Sequence, residues 1–186
     1  MRIYTKTGDT GKTSLYDGSR VNKSDPVIQS LGKIDTLNSA IGCVQEQYLK
    51  KGFMSQLKKS LLGINDWKDP IEEVLNEVQE RLLKIGSHLA TRNTENKHYE
   101  TTRFPTGEET TLEHEIDLLD SVLPPLKVFI KPDNMVHLAR SLCREAELSV
   151  WSLEDTQDNS NVVIYLNRLS DYLFMLGRYM SLKMNL

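Results

Sequence analysis

Five stretches of the chain carry apolar residues at helical spacing. In the first, Val27, Ile28, Leu31, Ile34, Leu37, Ile41, Val44 and Tyr48 keep the period to about Lys50. Such a stripe buries one side of an amphipathic helix. Ser24 or Asp25 offers an N-cap oxygen, Pro26 fits the first turn, and Gly52 ends the run. A second stripe, Ile71, Val74, Leu75, Val78, Leu82, Ile85 and Leu89, follows Asp69-Pro70. A third helix is expected over about 106–122, with Leu112, Ile116 and Leu119 inward, and Leu123-Pro-Pro125 stops it. The fourth runs from His137 to Trp151 behind an Asp133-Asn134 cap. The fifth runs from about Asn161 to Lys183 on Val163, Leu166, Leu169, Leu173, Leu176 and Met180. Residues 53–68 are ambiguous, 91–104 read as a polar loop, and 126–132 as a short apolar extended linker in which Phe129 is expected as core. No strand pattern stands out. The chain is therefore expected to be all-α, a five-helix up-and-down bundle forming one domain over 1–186.

The fourth helix has two faces. Leu138, Leu142, Cys143, Ala146 and Val150 make an apolar stripe. His137, Arg140, Arg144 and Glu147 fall at offsets 0, 3, 7 and 10 and line a second one. Two guanidiniums one turn apart suit a carboxylate or a phosphate. The same stripe also reads as a solvated charged face laced with ion pairs. Asn167 and Asp171 share a face of the fifth helix and leave the same two readings open. Asp35 lies off the apolar stripe of the first helix, either exposed or facing an arginine.

Residues 1–24 have no helical period. Thr5-Lys-Thr-Gly-Asp-Thr-Gly-Lys-Thr-Ser14 mixes glycines, hydroxyls and ammonium groups, the ingredients of a loop that wraps a phosphate. Gly11-Lys12-Thr13 imitates the end of a P-loop. That motif needs glycine where Lys6 stands and a helix where Leu15-Tyr-Asp-Gly18 reads as a turn.

The formal net charge of −3 gives no bulk reason to expect nucleic acid. No apolar run reaches membrane-spanning length. The opening residues lack a secretory core, so a cytoplasmic protein is expected, or a mitochondrial one whose presequence has been removed. Cys43 and Cys143 both fall on apolar stripes and are expected to be buried, reduced thiols. Glu95-Asn-Lys-His98 has the spacing of a di-iron ligand pair, but one copy in a loop does not build a metal site.

Four stretches, in order, resemble the trimeric all-α ATP:cob(I)alamin adenosyltransferase family. They are Tyr4-Thr-Lys-Thr-Gly-Asp-Thr-Gly-Lys-Thr-Ser-Leu15, then Arg20-Val-Asn-Lys-Ser-Asp25 with Leu31-Gly-Lys-Ile-Asp-Thr-Leu-Asn-Ser-Ala-Ile-Gly42, then His137-Leu-Ala-Arg140 through Glu147, and Tyr165-Leu-Asn-Arg-Leu-Ser-Asp-Tyr-Leu-Phe174. The resemblance implies transfer of the 5′-deoxyadenosyl group of ATP to cob(I)alamin, with triphosphate released. Cobalt(I) is then the nucleophile, which accounts for the absence of any nucleophile–base pair in the sequence. It implies that Thr5, Lys6, Thr7, Gly8, Thr13, Ser14 and Lys23 cradle the triphosphate. By the same resemblance, Arg144, Glu147 and Asn167 are expected to complete the ATP site. Asp35 and Arg140 resemble the pair that bridges two subunits beside it, and Arg144, Glu147, Asp35 and Arg140 are the implied catalytic set. Phe129 resembles the aromatic that covers the lower cobalt face and displaces the dimethylbenzimidazole ligand. Mg²⁺ is expected on the ATP phosphates rather than in a protein-built metal site. A homotrimer is implied, with a reductase and an adenosylcobalamin-dependent enzyme as partners, and neither nucleic acid nor membrane.

The chain departs from the family pattern at several points. Arg144-Glu-Ala-Glu-Leu148 replaces Arg-Arg-Ala-Glu-Arg, and Phe129-Ile-Lys-Pro-Asp-Asn134 replaces Phe-Ile-Leu-Pro-Gly-Gly. The usual aspartate–glutamate pair reads Asp35-Thr36, the spacer before His137 is shorter, and 53–68 reads as an insertion. These changes leave a second expectation: a catalytically weakened member that carries cobalamin or ATP.

Overall fold

The computed structural model describes Tyr4 and residues 6–50, 70–93, 95–153 and 158–184. A two-stranded antiparallel hairpin, β1 (Lys12–Ser14) and β2 (Arg20–Asn22), precedes the helices and pairs Thr13 with Val21. The helices are α1 (Pro26–Lys50), α2 (Pro70–Leu89), α3 (Tyr99–Thr102), α4 (Thr110–Val122), α5 (Met135–Trp151) and α6 (Ser160–Met184). The five expected helices are all present. Among the described residues, α3 brings the count to six, and the hairpin adds strands that the sequence did not announce. The ambiguous stretch 53–68 lies outside the described residues.

Packing follows the order α2–α1–α5–α6–α4, so α5 and α6 sit at the centre. Leu37 and Ile41 of α1, Leu75, Leu82 and Ile85 of α2, and Leu166, Leu169 and Leu173 of α6 are fully buried. These are the expected stripes, and their removal from water is the main term holding the helices together. Two polar contacts pin α1 to α5: the Ser30 hydroxyl lies 2.8 Å from that of Ser149 and donates to the Ser149 carbonyl at 3.2 Å. The end of α2 is tied through His88 to the residue just before α6. Its Nδ1 accepts from Phe104 N–H at 3.0 Å, so the ring proton sits on Nε2, which faces Asn159 Oδ1 at 3.1 Å.

Several expectations need correction. Helix α4 starts at Thr110 rather than near Thr106, because Gly107 adopts φ +82° and breaks the helical path. Cys43 is exposed; only Cys143 is buried, with its Sγ donating to the Leu166 carbonyl at 3.2 Å. Burial pushes the Cys143 thiol well above its ordinary range. On α5, the inward positions are Val136, His137, Ala139, Cys143, Ala146 and Val150, while Leu138 is about half exposed. His137 turns inward because Gly177 of α6 leaves room for it. A Cβ at Gly177 would lie 2.7–3.0 Å from the imidazole ring.

Candidate active site

The N-terminal loop is wound tightly. Lys6 takes φ 62° and Gly11 φ 79°, in the left-handed region. Asp9 N–H donates to the Lys6 carbonyl at 3.3 Å, and Gly11 N–H to the Gly8 carbonyl at 3.2 Å. The hairpin brings Lys23 back onto this loop, with its N–H donating to the Gly11 carbonyl at 2.8 Å. The Lys23 ammonium end lies 3.3 Å from where a Gly8 Cβ would stand, so glycine there leaves the space that the lysine uses. Lys6, Thr7, Gly8 and Lys23 are thereby gathered, with Thr13 and Ser14 on the adjoining strand β1. Thr5 lies outside the described residues.

Two further residues shape this loop. Arg20 donates to Ser14 Oγ at 3.2 Å and to the Thr7 carbonyl at 3.1 Å, binding the strand to the loop. Asp17 ties the hairpin to the body of the bundle. Its carboxylate accepts from Ser19 N–H and the Ser19 hydroxyl, and from Arg92 N–H and Asn93 N–H at 2.9 and 3.0 Å. Partial burial pushes the Asp17 pKa up, but these four hydrogen bonds outweigh it and hold the group at about 2. Tyr16 N–H adds a bond to the Ala90 carbonyl at 3.0 Å. The sequence assigned no role to either residue. The signal lay in the Asx-type spacing Asp17-Gly-Ser19 and in Arg20 opening the second quoted stretch.

On the helices, the structure joins Glu147 to Asn167: Asn167 Nδ2 donates to Glu147 Oε1 at 3.1 Å. Arg144 stands exposed one turn before Glu147, with no hydrogen-bond or ion-pair partner among the described residues. Glu145, the acidic departure, lies 3.5 Å from Lys33 of α1, and both are substantially exposed. Asp35 and Arg140 are not paired with each other within the chain. Asp35 is exposed on α1, whereas Arg140 keeps its Nε buried with no hydrogen-bond partner among the described residues. His137, grouped with the arginines by its spacing, is 3% exposed. Burial lowers its pKa, opposed by Asp133 and reinforced by Arg140, which favours the neutral ring. Phe129 is fully exposed, so its expected place in the core is wrong. The linker runs between the end of α4 and the start of α5, and among the described residues no element covers the ring. Asp171 is bonded to Arg168 at 3.1 Å, and Arg168 also reaches Glu113 of α4. No three His, Cys, Asp or Glu side chains among the described residues converge to hold a metal ion.

The sequence profile of the cobalamin adenosyltransferase family matches residues 3–180. The chain belongs to the cobalamin adenosyltransferase family. It is 38% identical over 190 residues to corrinoid adenosyltransferase MMAB of Bos taurus, covering 98% of this chain and 72% of that protein. It is 34% identical over 185 residues to the corrinoid adenosyltransferase of Mycobacterium bovis, covering 95% and 87%. A solved variant of the PduO-type ATP:corrinoid adenosyltransferase from Lactobacillus reuteri, complexed with cobalamin and ATP, superposes with a TM-score of 0.74. That alignment is 32% identical and covers 96% of this chain and 93% of the other. The N-terminal loop and the α5–α6 pair thus belong to a cobalamin adenosyltransferase fold, and not to a P-loop or di-iron bundle. No described helix is long and apolar enough to cross a membrane.

Proposed function

We propose that this family member transfers the 5′-deoxyadenosyl group of ATP to a corrinoid, namely cob(I)alamin, giving adenosylcobalamin and triphosphate. The observation that carries the reading is the family match across residues 3–180, with the tightly wound loop beneath Lys23 in place. The cobalt(I) electron pair attacks C5′ of ATP and forms the cobalt–carbon bond. The C5′–O bond breaks, and its electron pair leaves with the triphosphate. No protein base is needed. The protein orients the reactants and neutralises the leaving group.

Lys6 and Lys23 supply positive charge to the triphosphate, and Thr5, Thr7, Gly8, Thr13 and Ser14 supply hydroxyls and backbone donors. Arg144 adds the charge that grows in value as the triphosphate departs. Glu147 and Asn167, already bonded to each other, orient the nucleoside end. Mg²⁺ rides on the phosphate oxygens, which suits a cation that prefers phosphate ligands to an all-protein cage. Asp35 pairs with Arg140 across the subunits of a homotrimer. The carboxylate of Asp35 is exposed on α1 and open to a neighbouring subunit, which supports that pairing. Phe129 covers the lower cobalt face, and its complete exposure supports a ligand-facing role. We read the protein as cytoplasmic, supplied by a reductase and serving an adenosylcobalamin-dependent enzyme, and 1–186 as one domain whose residues 1–24 bind the nucleotide.

The second reading is a carrier that binds ATP or cobalamin with little turnover. It is favoured by Glu145 and Leu148, which replace basic residues of the family pattern. Turnover by the wild-type chain separates the two, and Arg144→Ala then tests the role given to that residue. Transfer should fall by about 10²–10³, as for other removed transition-state donors, with the helical spectrum unchanged. Near-normal transfer in that variant would overturn the role given to Arg144.

A further inference from the structure

The segment between α4 and α5 is fastened at both ends to one stretch of α6. At its start, Arg178 donates through Nη2 to the Pro124 carbonyl. At its finish, Asn134 Nδ2 donates to the Gly177 carbonyl at 3.0 Å and to Ser181 Oγ at 2.9 Å. Ser181 Oγ in turn donates to Asp133 Oδ1 at 2.6 Å. Between these anchors Leu126, Val128 and Phe129 are 53%, 75% and 104% exposed. The strap is therefore a bridge held at its feet and bare along its span.

Helix termination does not require these anchors. The end of α4 is already closed by Leu123 N–H donating to the Leu119 carbonyl, and the start of α5 by Asn134 Oδ1 accepting from Val136 N–H at 3.0 Å. The bonds to Gly177, Arg178 and Ser181 are additional, and all of them fix where the strap sits. Gly177 also has a steric reason to be glycine, since His137 fills the space that a Cβ would take. Asp133 and Asn134 stand where the family pattern has two glycines, so side chains have taken over a position that flexible backbone occupies elsewhere.

We infer that Arg178, Ser181 and Asn134 are positioning residues that set the placement of Phe129 over the corrinoid, an inference that rests on the role given to Phe129 above. Loosening either foot lets the ring drift, and the share of bound cobalt(II) held without its lower ligand falls.

The test uses the full chain with MgATP and cob(II)alamin. Electron paramagnetic resonance reads the four-coordinate fraction, and ATP affinity and circular dichroism are measured alongside. Phe129→Ala comes first and should abolish the four-coordinate signal. Arg178→Met combined with Ser181→Ala should lower that fraction on the order of tenfold, less than the roughly 10²-fold that a misplacement of about 1 Å can cost a reaction. ATP affinity and helix content should be unchanged, and Ser181→Thr, which keeps the hydroxyl, should retain the wild-type fraction. A wild-type fraction in Phe129→Ala would overturn the Phe129 reading and this inference with it. Loss of signal in Phe129→Ala but not in the double variant would overturn the inference alone. Should the double variant misfold, Ser181→Ala alone carries the test, because it removes one half-buried hydroxyl, and an unchanged fraction there again overturns it.

Discussion

Asp17→Ala should loosen the N-terminal hairpin from the bundle without unfolding the helices. The carboxylate accepts four hydrogen bonds, two from Ser19 and two from the backbone of Arg92 and Asn93. Its pKa is held at about 2 against an ordinary 3.8. Taken at face value, that difference corresponds to about 2.4 kcal/mol at neutral pH. The bonds lie at the surface, so screening by water reduces the expected contribution to about 1–2 kcal/mol. The sign follows from the depressed value. The contribution is fully present above the unfolded pKa near 3.8, and is lost as pH falls through the folded value of about 2. The loss should be local, and amide hydrogen exchange reads it directly. In Asp17→Ala the protection of the Tyr16 and Lys23 amides should fall by about tenfold or more, while that of the α5 and α6 cores is unchanged. Since Lys23 lies over Gly8, ATP affinity should fall as well. Hairpin protection within a factor of about two of wild type would refute the reasoning, because four real bonds cannot be removed so cheaply.

Three other outcomes follow from the packing and the charges. Gly177→Ala pushes a methyl into the His137 ring and should cost about 1–3 kcal/mol in chemical denaturation at fixed protomer concentration; an unchanged midpoint would show that the ring swings aside freely. Glu145→Gln breaks an exposed ion pair with Lys33 and should change stability by less than about 0.5 kcal/mol, while ATP binds no more weakly; a loss of several kcal/mol would contradict the surface assignment. Asp35→Asn and Arg140→Ala should be non-additive by about 0.5–3 kcal/mol in a double-mutant cycle on trimer assembly, and strict additivity would remove the proposed inter-subunit pair.

The long helices were legible because their stripes are long. Leu37, Ile41, Leu75, Leu82, Ile85 and Leu166 are buried where periodicity put them, and Asn134 caps α5 as its side-chain chemistry requires. The hairpin was not legible. Strands of three residues offer one inward position each, Thr13 and Val21, too few to establish a period of two. His137 was misassigned because helical spacing ranks it with Arg140 and Arg144. What turns it inward is a gap at Gly177, forty residues further along, which no local pattern reports. Cys43 shows the converse: it neighbours the α1 stripe, yet Ala40, Ile41 and Val44 take the buried places. Phe129 sits in an apolar run, but the run spans open surface, and the fixing side chains come from α6. The pairing of Glu147 with Asn167 was expected only as shared membership of a site, and the hydrogen bond between them needed the α5–α6 packing to be seen.

The central claim is adenosyl transfer, and an anaerobic turnover assay tests it most directly. The protein is mixed with MgATP and chemically reduced cob(I)alamin, and the cobalt(I) absorbance is followed together with triphosphate. The account predicts loss of the cobalt(I) band, growth of the adenosylcobalamin spectrum and one triphosphate per product formed. Binding of ATP and cobalamin with no product would contradict it, and would make this chain a carrier built on a transferase fold.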